Sequence, residues 1–268
     1  MQLTVRDKAV YLNTGGVDWQ KDKPWLCLVH GAALDHSVWV LFTRYFARQG
    51  YNLIVPDLPG HGTSAGEVPP SIEAMAEWLN ELLDVAINSV TGASATDIRL
   101  VGHSMGSLVA LQAASTKDRF SHLLMLGTSV PMPVGDALLN AAKDNDQAAI
   151  DMVSIYGHAY QSRLGGNPVA GINVLQTAMA LLASAPPGVM HAGLDACNNY
   201  TAGLEQAGKV KARSTLILGE EDMMTPPRGT TKLQQELNSQ VITLRRCGHM
   251  MLAEQPEQTL QAMLQGLE

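Results

Sequence analysis

Cysteine, aromatic residues and charge are all scarce in this chain. Cys27, Cys197 and Cys247 are odd in number and far apart, which argues against a disulfide framework and against a clustered zinc site. That usage suits a reducing compartment. Arg6, Asp7 and Lys8 occupy the start of the chain where an apolar leader would lie, so the expectation is a cytoplasmic protein. Acidic residues outnumber basic ones, 25 to 18, for a formal net charge of −7 with no basic block. The electrostatic footprint of a nucleic-acid binder is missing. No run approaches the ~18 apolar residues of a membrane-spanning helix, and there is no internal repeat or low-complexity tract.

What remains is a globular composition. Hydrophobic residues make up 46% and charged residues 16% of 268 positions, enough for a large core in one α/β domain carrying an insertion. Leu3–Val5 and Ala9–Leu12 flank a charged turn and predict an opening hairpin. Trp25–Val29 and Tyr51–Val55 are near-continuous apolar runs, as expected of strands covered on both faces. Between them, Val38, Leu41, Phe42, Tyr45 and Phe46 describe a helical face that closes at Gly50. Ser71 predicts the cap of a long amphipathic helix through Ile72, Met75, Leu79, Leu82, Leu83 and Ile87. His122–Leu126 adds a strand. The first 130 residues therefore alternate strand and helix, the pattern of a mostly parallel, doubly covered sheet.

The alternation breaks at Pro131-Met132-Pro133. From there to about Lys211 the sequence shows helical patterns without buried strands, interrupted at Gly165-Gly166-Asn167-Pro168 and Pro186-Pro187-Gly188. Strands resume at Thr215–Leu218 and Val241–Leu244, with helices at about 230–237 and through Leu260, Met263, Leu264 and Leu267. The expected division is 1–130 and 212–268 as two parts of one α/β core, with 131–211 as a helical lid.

Chemistry enters at Val101-Gly102-His103-Ser104-Met105-Gly106-Ser107, which contains Gly-x-Ser-x-Gly between a branched-apolar strand and an Ala/Leu-rich helix. This is the context of a nucleophile elbow, and the flanking glycines fit a turn where strand and helix backbones meet closely. A serine hydroxyl needs a base, and the base needs an orienting carboxylate. His249 follows the strand 241–246 through Cys247-Gly248, and Asp222 follows the strand 215–218. Both lie where an open parallel sheet gathers its ligands, beyond strand ends. The chain order Ser104, Asp222, His249 agrees with that of elbow-based hydrolases. Glu220 and Glu221 compete with Asp222 for the carboxylate role, and strand-end spacing favours Asp222. His30, His61 and His103 read as structural or turn histidines, Asp57 as a loop anchor, and His158 and His191 as lid residues.

Together with His30-Gly31, Pro56-Asp57-Leu58-Pro59-Gly60-His61-Gly62, Gly219…Asp222…Pro226 and Gly248-His249…Glu254-Gln255-Pro256, the elbow makes the chain resemble the α/β-hydrolase fold family, in particular its small, lidded serine hydrolases. The resemblance runs across nearly the whole chain and implies an α/β-hydrolase fold. It also implies an oxyanion hole from the backbone N–H groups of Met105 and Ala32, with Ala33 as the alternative one residue on. No cofactor and no metal are implied.

Ser104 points to acyl transfer rather than the aspartate-based chemistries of the family. The expected substrate is a small apolar carboxylic ester, thioester or lactone. Carbon–carbon bond hydrolysis, cofactor-free perhydrolysis and acyl transfer use the same residues. A ligand receptor with vestigial activity is the reading from another class. The lid offers Leu, Met, Ala and Val with only Tyr156, Tyr160 and Tyr200 as aromatics, walls suited to a flexible acyl chain; Leu181 and Met179 are its expected selectivity residues, and Arg163 a candidate carboxylate partner.

Overall fold

The computed structural model describes every residue except 93–96, 167 and 169. Eight strands form one sheet in the order β1-β2-β4-β3-β5-β6-β7-β8. Strands β1 (Gln2–Val5) and β2 (Lys8–Asn13) pair as the expected antiparallel hairpin, and β2 also runs antiparallel to β4 (Asn52–Pro56). All other neighbours are parallel: β3 (Trp25–Val29), β5 (Ile98–His103), β6 (Phe120–Leu126), β7 (Arg213–Gly219) and β8 (Gln240–Leu244).

Helices cover both faces, which explains the continuous apolar runs. Along β3, Trp25, Cys27 and Val29 pack with α2 (Ile72–Thr91) and α3 (Met105–Thr116). Leu26 and Leu28 face the opposite way, toward α1 (Val40–Arg48) and α12 (Pro256–Leu267). The period-two alternation of a strand thus feeds two separate cores. Ser71 caps α2 as expected, accepting a hydrogen bond from the Ala74 N–H at 3.2 Å, and the helix ends at Gly92 with φ +69°.

The helix after β3 departs from its expected face. Its first turn, His36–Trp39, is a 3₁₀ turn, whose three-residue period shifts the phase of α1. Trp39, Phe42, Phe46 and Ala47 are buried, whereas Val40 and Leu41 stand 59% and 49% exposed.

Among the described residues between β6 and β7 there are helices and no strand: α4 (Asp136–Lys143), α5 (Gln147–Gly157), α6 (Tyr160–Arg163), α7 (Val174–Ser184), α8 (Val189–Asn199) and α9 (Gly203–Ala207). Pro186-Pro187-Gly188 separates α7 from α8. The break at Gly165–Pro168 falls between α6 and α7, with its Asn167 outside the described residues. Leu138, Ala149, Val153, Leu182 and Leu194 form one apolar cluster with Ala33, Leu34 and Met250. This segment therefore packs on the loops that follow β3 and β8. No helix among the described residues is long and apolar enough to cross a membrane.

Candidate active site

The sheet reverses direction at β3: the chain moves outward to β4, then returns to the other side of β3 as β5. Such a switch point opens a crevice at the carboxyl ends of the two central strands. The loop Gly31-Ala32 leaves β3 there, and Ser104 leaves β5.

Ser104 is the single residue between β5 and α3, with φ +55° and ψ −125°. A side chain in that backbone region costs on the order of 1–3 kcal/mol and persists only where the surroundings over-determine it. Here its N–H donates to the Leu126 carbonyl at 2.9 Å, and its carbonyl accepts from the Ser107 N–H and hydroxyl at 2.8 and 2.6 Å. A Cβ at Gly102 would overlap the Gly106 carbonyl, and one at Gly106 would overlap the carbonyls of Val29 and His30. Both glycines are required by close approach, as the sequence suggests. Met105 opens α3, so its N–H is among those left without an intrahelical partner. Gly31 backs onto Ser104, where an added Cβ would sit 3.1 Å from the serine Cβ. Ala32 lines the same cavity as Ser104, while Ala33 is buried in the apolar cluster.

Asp222 and His249 arrive on the connections after β7 and β8. The turns that carry them interlock: a Cβ at Gly219 would overlap the Gly248 carbonyl, and one at Gly248 would come within 2.6 Å of the Ala159 nitrogen. Both side chains are buried, with His249 Nδ1 2.8 Å from Asp222 Oδ2. A carboxylate oxygen accepts, so Nδ1 carries the hydrogen and Nε2 keeps its lone pair. Asp222 Oδ1 accepts from the N–H groups of Met224 and Thr225, both at 2.8 Å. Burial alone would raise the Asp222 carboxyl, but the facing His249 and the Thr225 hydrogen bonds outweigh it and hold the carboxyl below its ordinary value.

Ser104 and His249 line one cavity of about 260 Å³ with Ala32, Leu138, Met152, Tyr156 and Leu194. Among the described residues no hydrogen bond joins the Ser104 hydroxyl to the imidazole. Such contacts often close only in the Michaelis complex.

The competing residues are engaged elsewhere. Glu220 accepts from the Arg246 N–H at 3.0 Å and Glu221 from the Tyr160 N–H at 2.9 Å. Asp57 is a loop anchor: it accepts from the His36 N–H, the His36 ring and the Thr63 N–H at 2.8, 2.7 and 2.9 Å. His30 donates from Nδ1 to the Gly31 carbonyl and accepts the Leu58 N–H at Nε2; burial pushes it down to about 4. His61 donates to Pro59 across its own turn. His158 is buried and bonded to the Ser154 carbonyl. His191 and Arg163 do not line the serine's cavity, and the Arg163 guanidinium lies over the Tyr160 ring.

His103 differs from the expected turn residue. Its Nε2 donates across the site to the His249 carbonyl at 2.8 Å, and the two rings lie 5.0 Å apart. Leu181 and Met179 are likewise not on the serine's cavity: Leu181 lines a second cavity and Met179 neither, because α7 packs over the loops at 34–41 rather than over Ser104.

Two participants escape sequence reasoning. The Thr225 hydroxyl donates to Asp222 Oδ2 at 2.7 Å and lies 3.2 Å from His249 Nδ1; the local signal is an Asp whose side chain also accepts backbone N–H groups two and three residues on. Glu254 is fully buried and accepts from the Gly248 N–H at 3.0 Å and the Ala159 N–H at 2.7 Å. Burial raises its carboxyl against the hydrogen bonds from Ser162, Ala159 and Gly248. Its position six residues after the loop glycine is visible in the sequence, but its partner at Ala159 is not.

Comparison with known proteins gives a consistent picture. The sequence matches the profile of the Alpha/beta hydrolase family over residues 28–262. A stretch of 157 residues, 55% of this chain and 47% of the relative, is 33% identical to the magnesium-chelatase 30 kDa subunit of Rhodobacter capsulatus. A shorter stretch, 34% of this chain and 32% of the relative, is 33% identical to (E)-2-((N-methylformamido)methylene)succinate hydrolase of Acinetobacter baylyi. The matches thus span about half or less of those curated relatives. Among solved structures, an enol-lactonase from Burkholderia xenovorans superposes with TM-score 0.83 at 17% identity, covering 100% of this chain and 99% of that one. A thermophilic esterase from Thermogutta terrifontis gives 0.76 at 23% identity, covering 100% and 98%.

Proposed function

As a member of the alpha/beta hydrolase family, this chain, we propose, is a serine hydrolase that cleaves a small apolar ester, thioester or lactone through an acyl-enzyme. The observation that carries the reading is one cavity lined by both Ser104 and His249, with Asp222 held 2.8 Å behind the imidazole.

In this mechanism His249 Nε2 takes the Ser104 proton as Oγ attacks the substrate carbonyl carbon. The carbonyl electron pair moves onto oxygen, and the N–H groups of Met105 and Ala32 hold that oxyanion. Two such donors are worth roughly 3–4 kcal/mol each in related chemistry. Collapse expels the alcohol or thiol, which leaves with the proton from His249. Water then attacks the acyl group under the same base and frees Ser104. Asp222 orients the ring and stabilises the imidazolium, and residues 131–211 act as the lid, with Leu138, Met152, Tyr156 and Leu194 as an apolar wall. The same wall supports a flexible acyl chain over a charged substrate.

The test is turnover of p-nitrophenyl esters of graded chain length by the wild type and Ser104→Ala. Activity is expected to vanish in the variant with its folding unchanged, and a serine-directed phosphonate is expected to add mass at Ser104 alone. Undiminished turnover, or labelling at another residue, would overturn the assignment. Product analysis with water, peroxide and alcohols as acceptors separates hydrolysis from perhydrolysis and acyl transfer.

A further inference from the structure

Strand β5 ends on His103, one residue before the proposed nucleophile. The side chain is buried, 1% exposed, and does not line the serine's cavity. Its Nε2 donates to the His249 carbonyl at 2.8 Å, and the two rings stand 5.0 Å apart. A single bond therefore runs from the neighbour of Ser104 to the backbone of the candidate base. Among the described residues no other hydrogen bond joins the end of β5 to the loop 245–250.

The other holds on His249 come from different parts of the chain. Asp222 and Thr225 approach its ring Nδ1 from the connection after β7. Glu254 accepts the Gly248 N–H, and the Met250 N–H donates to Gly157. The Asp222 bond fixes how the imidazole is turned and which tautomer it keeps, but none of these contacts refers the base to β5. The Ser104 hydroxyl and the imidazole share no hydrogen bond among the described residues, so their separation depends on where the two backbones are held. A Cβ at Gly127 would sit 3.0 Å from His249 Nδ1 and 3.5 Å from His103 Nε2, so the backbone after β6 packs against both rings. Between that backbone and the His103 bond the base has little room to drift. Burial keeps the His103 ring neutral, pushing it down to about 3, so its donor is unchanged near neutral pH.

From this bond across the site, we infer that His103 is a positioning residue: it sets the reach of His249 Nε2 to Ser104 Oγ by anchoring the backbone of the base to the nucleophile's own strand. The inference rests on Ser104 and His249 acting as proposed, and it supplies the part that fixes their distance. Reacting groups misplaced by about 1 Å lose on the order of 10²-fold in rate, so a supporting bond of this kind bears on catalysis without touching substrate.

Two variants separate the bond from the bulk of the side chain. His103→Gln keeps an N–H as many bonds from Cα as the imidazole Nε2, and His103→Phe keeps a flat ring without the donor. On one p-nitrophenyl ester, kcat is expected to fall about 10–100-fold in His103→Phe with KM within about twofold, and to stay within a few fold of wild type in His103→Gln. Titration with a serine-directed phosphonate counts the competent sites, so that kcat is expressed per labelled site. Labelling of Ser104 is expected to go to completion in both variants, more slowly in His103→Phe. The NMR signal of the proton on His249 Nδ1 is expected to persist in both, because Asp222 still holds it. His103→Leu, smaller and equally without a donor, takes the place of His103→Phe should the larger ring prevent folding. Equal kcat per labelled site with and without the donor would overturn the role of the bond. So would a loss that disappears once unlabelled protein is discounted, since His103 would then serve folding alone. Failure of the phosphonate to label Ser104 in the wild type would overturn the underlying reading and this one together, whereas labelled Ser104 with equal variants overturns His103 alone.

Discussion

Asp222 is the residue whose neighbours most constrain its role. All its acceptor positions are filled, by His249 at 2.8 Å, by the Thr225 hydroxyl at 2.7 Å and by two backbone N–H groups. Asp222→Asn keeps the shape but presents an amide N–H to His249, which favours the other imidazole tautomer. The expected result is a fall in kcat on the order of 10⁴, the scale seen where a triad aspartate loses its charge. Glu220→Gln, whose side chain accepts from the Arg246 N–H, is expected to leave kcat within a few fold. Parallel measurement of both on one p-nitrophenyl ester decides whether Asp222 is the carboxylate. At this scale the sequence is legible where chemistry sits next to a strand end. Ser104, Asp222 and His249 each follow a readable strand within a few residues. Glu254 and the His103 bond are not legible, since their partners Ala159 and His249 lie 95 and 146 residues away. Thr225 lies between the two cases, with one partner local and one remote.

Among the elements, α5, α6 and α11 (Met251–Glu254) form a junction. Glu254 joins the loop that carries His249 to the α5–α6 connection, and the Met250 N–H donates to the Gly157 carbonyl at 2.9 Å. The helical segment and the loop carrying His249 are therefore tied by a buried carboxylate and a backbone hydrogen bond. Glu254→Gln sets an amide N–H₂ against backbone donors, and a buried unsatisfied group costs about 1–3 kcal/mol. A lowered melting temperature together with a reduced kcat is expected; unchanged values of both would show that the tie does not matter. In the proposed reading, selectivity belongs to other side chains of the same segment. Leu138→Ala, Met152→Ala and Leu194→Ala are expected to shift ester chain-length preference toward longer acyl groups, and Met179→Ala is expected to leave it alone, because only the first three line the serine's cavity. A kcat/KM series across chain lengths reads the difference. Strands and the long helix are legible because burial on both faces leaves an unbroken apolar run. The turn at His36–Trp39 is not, because its 3₁₀ geometry re-phases the helix after it, and the direction of α7 depends on packing that periodicity does not encode.

The molecule as a whole keeps several imidazoles neutral in its interior. Burial lowers His30, His61 and His103 to about 4, 3 and 3 from an ordinary 6.5. A group whose folded value is depressed takes up its proton more readily in the unfolded chain. As pH falls from about 6.5 toward 4, unfolding therefore binds protons and stability declines. His36 acts in the opposite sense: burial would lower it, but Asp57 prevails and raises it. It is one raised histidine against five lowered ones, since burial lowers His122 and His158 as well. The denaturant midpoint is expected to drop steadily between pH 7 and pH 5; a flat profile would show that these rings titrate normally. The sheet order itself also has a consequence for the making of the protein. Ser104 emerges early in synthesis, in a strained turn whose N–H donates to Leu126 of β6, whereas Asp222 and His249 follow β7 and β8, which lie beyond β6 in the sheet. If Ser104 is the nucleophile as proposed, a ribosome-bound chain would carry it inert until both of those strands have been made, and reactivity would switch on at their docking rather than grow with length.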